Sequence, residues 1–576
     1  MNRIRTVILL TVLAAAVAAP MVIAQQTAAP APAPQPAPAA GEVPKFTESI
    51  DVRLVNIDVV VTDKKGNPVT GLTKDDFVLL ENRVVKPISN FYEVEAPHVT
   101  TADVKPGTTP AAAAQKVEEI PDAQKRRVIF FVDNLSLHPF NRNRVFKDMK
   151  EFAKTALRPG DEAMIATYNR SLKVRVPFTR DIGVITSTLD TFSGESALGI
   201  GARSERNDVE NQIRDAQSYD DAIAIARQYS ESVNHDLRQA VESLNGLLAT
   251  LAGVEGKKVL VLTSEGFPMN PGREMFYFID EMGKEKGWNQ TSSLLESMSF
   301  DGHHEIESVA KNANANGITV YAIHAAGLDA MNDNSAEHAQ ATPYAVTQAA
   351  QSNTTESMQL IADMTGGIAS IRTNNFKAAF TKIAQDLDTY YSLGYRAGTQ
   401  RVDRQRSIEV RLAKPNRNYI VRSRQTFVEK STYAEMSDRV IANALYPSKA
   451  NDMHVLMRSE RPIPTDDADL FRVPVDIEIP MDYLTLVPQG EDAYVGGFDV
   501  YVVVANKDGD LSDVARKTHQ LNIPKADLEK AKGKFYTYSV ELLMEKGLGK
   551  ISVGVNDQIS NLTGFTRDQL VVKDLR

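Results

Sequence analysis

Apolar residues fall along this chain in three rhythms, and each marks a different kind of element. Val128 to Val132 are consecutive apolar positions, stopped abruptly by Asp133. Such a run suits a strand covered on both faces, as in a parallel sheet with helices on either side. Val145, Phe146, Met149, Phe152, Ala153, Ala156 and Leu157 then recur at helical spacing and form one stripe, which Pro159 and Gly160 end. Further strand runs follow at Ala163 to Tyr168, Leu172 to Phe178, Lys258 to Thr263, Ile318 to His324 and Ile368 to Ile371. Helical stripes separate them, at Leu237, Val241, Leu244, Leu248 and Leu251 and at Phe376, Phe380, Ile383 and Leu387. The alternation predicts a doubly wound sheet over residues 126–390. Asn169-Arg170-Ser171 is too short for a crossover, so one edge of the sheet is an antiparallel hairpin. Ligands of such sheets bind beyond the carboxyl ends of the strands, where Asp133 and Ser136 would lie.

The second rhythm is a period of two. VRLVNIDVVVTD, the turn Lys64-Lys65-Gly66-Asn67 and the resumption through Val69, Phe77 and Val78 predict an N-terminal β module over residues 47–95. Residues 96–125 are rich in Pro, Thr, Ala and charge without a period, and read as a linker. Strand patterns return in YYSLGYR, RSIEVRLA and YIVRSRQTF (residues 391–428), which would complete the sheet begun before the linker. Residues 429–470 read as a connector with one helix around Tyr433 to Leu445. Residues 471–576 hold VPVDIEIP, GGFDVYVVVANKDG, KFYTYSVELLM and GKISVGVNDQ, the pattern of an antiparallel sandwich. The charged stretch between Gly199 and Asp236 reads as a helical excursion with a solvated face.

The third rhythm is an uninterrupted apolar run at the start. Arg3 and Arg5 precede Val7 to Ala19, and Val22-Ile23-Ala24 before Gln25 offers cleavage chemistry, so residues 1–24 read as a signal peptide. The alternative, an uncleaved anchor, needs about 20 apolar residues and finds slightly fewer. Residues 25–46, rich in Ala and Pro, read as an extended tether. The 576 residues are enough for about three or four domains. A net charge of -9 without a basic cluster excludes nucleic acid as the main partner. The absence of cysteine excludes disulfides and thiolate metal sites, so an exported chain relies on packing alone.

Four segments carry a family resemblance: DVVVTDKKGNPVTGLTKDDFVLLEN, RVIFFVDNLSLHPFNRNRVF, KKVLVLTSEGFPMNPGRE, and the run from IADMTGG to YYSLGYR. In their order and spacing, up to Phe427, the chain resembles the bacterial, acidobacterial-type VWFA-related domain proteins. The resemblance implies a multidomain α/β plus β chain, in which a Rossmann-like von Willebrand factor A domain is flanked by β-sandwich modules. It also implies a divalent-cation site of three loops, carrying Asp-x-Ser-x-Ser, Thr and Asp. Here the first loop reads Asp133-Asn134-Leu135-Ser136-Leu137, with leucines at both serine positions and Ser136 out of register. The third has Glu265 where Asp is expected, and Ser193 and Ser196 are the candidates for the second. The implied ligands of Mg2+ or another divalent cation are therefore Asp133, Ser136 and Glu265, a degenerate set. The plainer reading of Asp133 is a carboxylate that accepts backbone N–H groups or caps the next helix. For Glu265 the plainer reading is a solvated loop residue.

Other constellations carry less. Adjacent histidines point to different sides of a helix, so His303-His304-Glu305 reads as a solvated helix start rather than a ligand pair. His324 ends a strand on the same side as Asp133 and is a candidate for the ligand surface, with a hydrogen-bonded structural role as the ordinary reading. Asn506-Lys507-Asp508-Gly509-Asp510 lacks the glycine and glutamate placement of a calcium loop and reads as a hairpin turn. No nucleophile elbow, phosphate loop or zinc-protease helix is present, so no catalytic residue is assigned. The expectation is an exported, noncatalytic binding, scaffolding or adhesion-type protein, located in the periplasm, at the cell surface or outside the cell. Its loops after Val132, Thr263 and Ile323 would meet a protein partner, and no membrane span would remain after signal cleavage. A divalent-metal-dependent adhesion module is the alternative, and a hydrolase with an unrecognised site is a third reading.

Overall fold

The computed structural model describes residues 54–95, 122, 125–288, 293–328, 342–397, 402–446, 448 and 450–573. The expected signal peptide, the tether and nearly all of the linker lie outside the described residues. Those described form a mixed α/β protein with five sheets, divided into two compact units.

The first unit spans Leu54–Ala397 and Arg401–Ala450. It opens with β1 (Leu54–Asp63), β2 (Phe77–Glu81), β3 (Val84–Lys86) and β4 (Ile88–Glu95). Val55, Ile57, Val59 and Val61 are buried while Asn56 and Asp58 are exposed, so the period of two puts one face of β1 inward.

The α/β region follows: β5 (Arg126–Asp133), α1 (Pro139–Thr155), β6 (Glu162–Tyr168), β7 (Leu172–Thr179), α2 (Ile182–Ser193), α3 (Gly199–Asp215), α4 (Tyr219–Thr250), β8 (Lys257–Ser264), α5 (Arg273–Lys286), α6 (Leu294–Ser297), α7 (His303–Ala315), β9 (Ile318–His324), α8 (Tyr344–Thr365), β10 (Ala369–Ser370) and α9 (Phe376–Asp388). Its six strands run in the order β10-β9-β8-β5-β6-β7. All pairings are parallel except β6 with β7, the hairpin that Asn169-Arg170-Ser171 predicts. Ile129 and Phe131 of β5 face a core shared with α4, α7 and α8. Val128, Phe130 and Val132 face a second core with α1, α2 and α9. Between two such cores β5 is polar only at its ends, with Arg126 and Arg127 at one and Asp133 at the other. The chain leaves β5 for β6 on one side and returns to β8 on the other, so the crevice beyond the strand ends opens at Asp133 and Ser264.

After α9 come β11 (Thr389–Arg396), β12 (Gln405–Leu412), β13 (Tyr419–Ser423) and β14 (Thr426–Val428). They pair with strands that precede the α/β region, giving sheets ordered β13-β1-β11-β4 and β14-β12-β2-β3. Ile57, Leu79, Leu393, Tyr395 and Ile408 share their core. The last helix of the unit, α10 (Thr432–Leu445), places Ala442 against the α4 side of the parallel sheet, followed by Tyr446. Residues 429–446 thus belong to this core rather than forming the expected connector, because α10 has an apolar face of its own to bury.

The second unit contains β15 (Leu456–Ser459), β16 (Ile463–Pro464), β17 (Leu470–Pro480), β18 (Val487–Gln489), β19 (Ala493–Ala505), β20 (Ala515–Pro524), β21 (Phe535–Glu545), β22 (Gly547–Asp557) and β23 (Thr563–Val572). Two antiparallel sheets share a core built from alternate residues such as Val473, Val475, Ile477 and Ile479. Asn506 to Asp510 form a turn in which Asn506 N–H donates to the Asp510 carbonyl at 3.0 Å, with Gly509 at φ 88°. Among the described residues no helix is long and apolar enough to cross a membrane.

Buried charge locks the split β module. Arg406 of β12 donates to Glu81 of β2 at 2.7 Å and to Glu429 at 2.6 Å, all three nearly excluded from solvent. Arg406→Leu leaves two buried carboxylates short of their guanidinium and should cost about 3–5 kcal/mol in denaturant unfolding. Adding Glu81→Gln and Glu429→Gln should restore most of that loss; equal stability of Arg406→Leu and the parent would refute the lock.

Candidate functional site

The candidate site forms where β5, β8 and β9 end. Asp133, Ser264 and His324 are the last residues of those strands, and each is almost wholly buried. Ser264 Oγ donates to Asp133 Oδ2 at 2.7 Å, and Ser136 Oγ lies 3.0 Å from Ser264 Oγ. Ser136 N–H points at Asp133 Oδ1 at 3.4 Å, while Ser136 Oγ accepts from Glu265 N–H at 3.0 Å. The structure thus gathers Asp133, Ser136 and Glu265, and adds Ser264, which the sequence reading passed over. Burial pushes the Asp133 carboxyl above its ordinary value, opposed by the hydrogen bonds from Ser264 and then Ser136.

Glu265 neither faces Asp133 with its carboxylate nor stands free in solvent. Its Oε1 accepts from His138 N–H at 2.8 Å and Asn141 Nδ2 at 3.0 Å, and its Oε2 accepts from Arg203 at 2.8 Å. His138 is the N-cap of α1 and Pro139 its first residue, so Glu265 supplies negative charge at that helix start. The helix-terminus role open to Asp133 therefore falls to Glu265, since Asp133 is turned into the strand-end network.

Arg203 comes from the charged excursion, whose Glu205, Asp208, Asp215 and Asp220 stand in solvent as expected while Arg203 is drawn onto the strand-end loops. The start of α3 is clamped to the first loop: Leu198 N–H donates to the Asn134 carbonyl at 3.1 Å and Gly199 N–H to that of Leu137 at 3.2 Å. A Cβ at Gly199 would stand 2.4 Å from the Ser136 carbonyl oxygen, so only glycine permits this approach. Val209 and Ile213 of α3 and Ile223 and Ala226 of α4 share an apolar core with Phe276 and Ile279 of α5. Apolar residues spaced among the charges make the excursion a packed cap over the strand ends.

Arg142, fully buried, is the other cation the sequence reading missed. It donates to Asn134 Oδ1 at 2.8 Å and to the carbonyls of Ser193 and Glu195 at 3.1 and 2.8 Å, with its guanidinium 4.9 Å from the Phe192 ring. Burial pulls its pKa down and Glu195 opposes the shift. A signal existed: Arg142 precedes Val145, Phe146 and Met149 at helical spacing, on the buried stripe. Ser196 reaches the first loop only through its carbonyl, and the Ser193 carbonyl accepts from Arg142 and Asn143 of α1. Asn134 Nδ2 donates to Ser196 O at 3.0 Å, and the Ser193 hydroxyl is turned back to Leu189 O at 2.8 Å.

A cavity of about 240 Å³ lies beside this network, lined by Ser136, Arg203, Arg206, Tyr229, Glu265, Glu274 and His324 among others. Burial raises the Glu274 carboxyl, against which the Tyr229 hydroxyl lies at 3.4 Å. Burial lowers the His324 imidazole, with Glu265 opposing, and its buried Nδ1 has no hydrogen-bond partner among the described residues. His303 and His304 are exposed at the start of α7, and Glu305 pairs with Arg238 at 3.3 Å.

A hard divalent cation needs close to six oxygens in an octahedron. Leu135 packs against one core of the parallel sheet and Leu137 is buried in the other, so neither position offers an oxygen. The Glu265 oxygens are occupied by an N–H, an amide and a guanidinium. Among the described residues no three His, Asp or Glu groups stand close enough to hold a metal. The residues present do not fit the implied cation.

No family model and no curated protein matches the sequence. Solved structures give faint likenesses. An aerotolerance-related membrane protein from Bacteroides fragilis is 12% identical, covering 46% of this chain and 98% of that one, with a TM-score of 0.23. The conserved hypothetical protein BatB from Bacteroides thetaiotaomicron is 8% identical over 46% and 97% of the two chains, TM-score 0.21. Manganese-loaded TRAP protein of Plasmodium vivax is 10% identical over 53% and 95%, TM-score 0.21. At these scores the description of the fold rests on strand order and packing alone.

The raised Asp133 value fixes a sign. A carboxyl whose folded pKa exceeds its unfolded one contributes stability that is fully present below the unfolded value and is lost as pH rises through the folded value. Asp133→Asn keeps an oxygen for Ser264 and removes the charge. Its melting temperature relative to wild type should therefore become more favourable between about pH 4 and pH 8. A difference that moves the other way would mean that the ionised carboxylate is stabilised in the fold.

Proposed function

We propose that the chain is an exported, noncatalytic binding or scaffolding protein of the von Willebrand factor A-like kind. Its strand-end rim engages a protein partner without a divalent cation, and the β modules, including a C-terminal β-sandwich, set reach and orientation. The observation that carries this reading is the state of Glu265, whose oxygens are already satisfied by His138 N–H, Asn141 and Arg203. An internal guanidinium supplies the positive charge that a cation would otherwise bring.

Two further features support it. Phe140, Leu198, Ile200 and Leu328 are exposed on segments at the carboxyl end of the sheet, and Arg144, over the Phe140 ring, shares Asn374 Oδ1 with Leu328 N–H. Exposed apolar side chains gathered on one rim suit a protein partner. The Ser264 and Ser136 hydroxyls are taken up within the strand-end network, Ser264 donating to the buried Asp133 and Ser136 bonding Ser264 and the backbone.

Melting temperatures in magnesium and in EDTA should coincide, since ligand binding to the folded state alone would raise one of them. A magnesium-dependent rise lost in Asp133→Asn would establish the metal-dependent adhesion reading instead. Capture of a partner from envelope extract should be lost with Phe140→Asp and Leu328→Asp and retained with the exposed Arg458→Gln. Retention by all three would remove the rim as the binding surface.

A further inference from the structure

The opposite, amino-terminal edge of the parallel sheet holds a second cavity, of about 340 Å³, between that sheet and β1, β11 and β13. Lys257, Lys258, Arg422 and Arg424 line it, together with Asp58 and Tyr390. Three of the four cations are provided for. Lys258 Nζ closes the end of α4 by donating to the carbonyls of Leu251, Ala252 and Val254 at 3.1, 3.3 and 2.7 Å. Arg422 makes a two-point bond to Asp386 at 2.7 and 2.8 Å, and Asp386 also accepts from the Tyr321 hydroxyl at 2.9 Å. Lys257 stands 3.6 Å from Asp58 and 3.1 Å from the centre of the Tyr390 ring.

Arg424 is the exception. Among the described residues it has no carboxylate at ion-pair distance; one terminal nitrogen donates to the Asn56 carbonyl at 2.6 Å and the guanidinium lies 5.1 Å from the Phe427 ring. Its Nε is buried without a hydrogen-bond partner among the described residues. Burial pulls its pKa down, with Asp58 and Tyr395 opposing only from a distance. Arg424 is half-buried, and its buried Nε together with a terminal nitrogen presents a donor fork from which a bound oxyanion accepts. Lys257, beside the same space, adds a second donor. The volume exceeds what a bare oxyanion fills, leaving room for a substituent on it.

We propose that this cavity is a binding site for a small phosphate-type oxyanion, held by Arg424 and Lys257. It is distant in the fold from the strand-end rim and does not depend on what that rim binds.

The test is calorimetric titration of the full chain with inorganic phosphate, with sulfate and with a simple phosphate monoester, at an ionic strength matched by chloride. Saturable binding of phosphate is expected, weakened at least about tenfold by Arg424→Gln, less by Arg424→Lys, which keeps charge but loses the fork, and also by Lys257→Gln. Arg458→Gln, on an exposed strand of the other unit, should bind as wild type does. The monoester arm separates a free anion from a phosphorylated metabolite, and either result supports the site. Because phosphate and sulfate also stabilise folded chains by exclusion, a melting shift counts only where wild type gains more than Arg424→Gln. No saturable heat, or equal binding by wild type, Arg424→Gln and Lys257→Gln, overturns the proposal. Should Arg424→Gln fail to fold, Arg424→Lys and Lys257→Gln decide it by the same comparison.

Discussion

The two-sided burial of β5 is the constraint on which the other arrangements rest. A strand with helices on both faces keeps its polar side chains to its two ends, and the one at the carboxyl end of β5 then lies at the buried floor of the strand-end crevice. Asp133 is that residue, 2% exposed. Ser264 and His324 reach the same floor because β8 and β9 are parallel to β5 and in step with it. Parallel order thus produces a polar cluster at one end of the sheet without any local sequence signal for clustering. A buried carboxylate must then be answered by donors, and Ser264 and Ser136 are the donors within reach.

How the charges above that floor are balanced follows from the leucines in the first loop. Leu135 and Leu137 take up core positions, so the loop is tied down by packing. Arg142 draws the segment after α2 onto Asn134, and Arg203 draws α3 onto Glu265. Both arginines act through their fixed fork of donors, which suits one carboxylate or several carbonyls at once. The result is a crevice held together by internal cations, a different solution from the one implied by the family resemblance.

What was legible in the sequence divides along physical lines. Period-two and period-3.6 patterns are local, and they located β5 to β9, α4 and α9 to within a few residues, except that α4 begins well before its Leu237 stripe. Proximity of Asp133, Ser136 and Glu265 was legible because strand ends of a parallel sheet meet. The partner of Glu265 was not: Arg203 lies 62 positions away on a helix whose docking depends on the bare Cα of Gly199. Arg142 could have been found, since it shares the stripe of Val145 and Phe146, but charge conventionally reads as surface. The registry of β1 against β11, with Leu54 opposite Arg396, spans the whole α/β region, and alternation alone does not encode it.

The two ends of the parallel sheet meet opposite electrostatic demands with unequal completeness. At the carboxyl end the cap of α3 and α4 arrives with arginines, and the acidic groups Asp133 and Glu265 are matched by hydroxyls, amides and a guanidinium. At the amino end the β module brings Arg422 and Arg424 on β13 and the residue after it, while the carboxylates available are Asp58 and Asp386. Asp386 is fully engaged by Arg422 and Tyr321, and Asp58 stands beside Lys257. Arg424, half-buried, is therefore left without a carboxylate among the described residues. Arg424 ties the residue after β13 to β1 through the Asn56 carbonyl and covers the Phe427 ring, and these contacts leave its Nε without an acceptor among the described residues. A donor that the fold leaves over on a cation beside a cavity is most simply met by a ligand of the opposite sign.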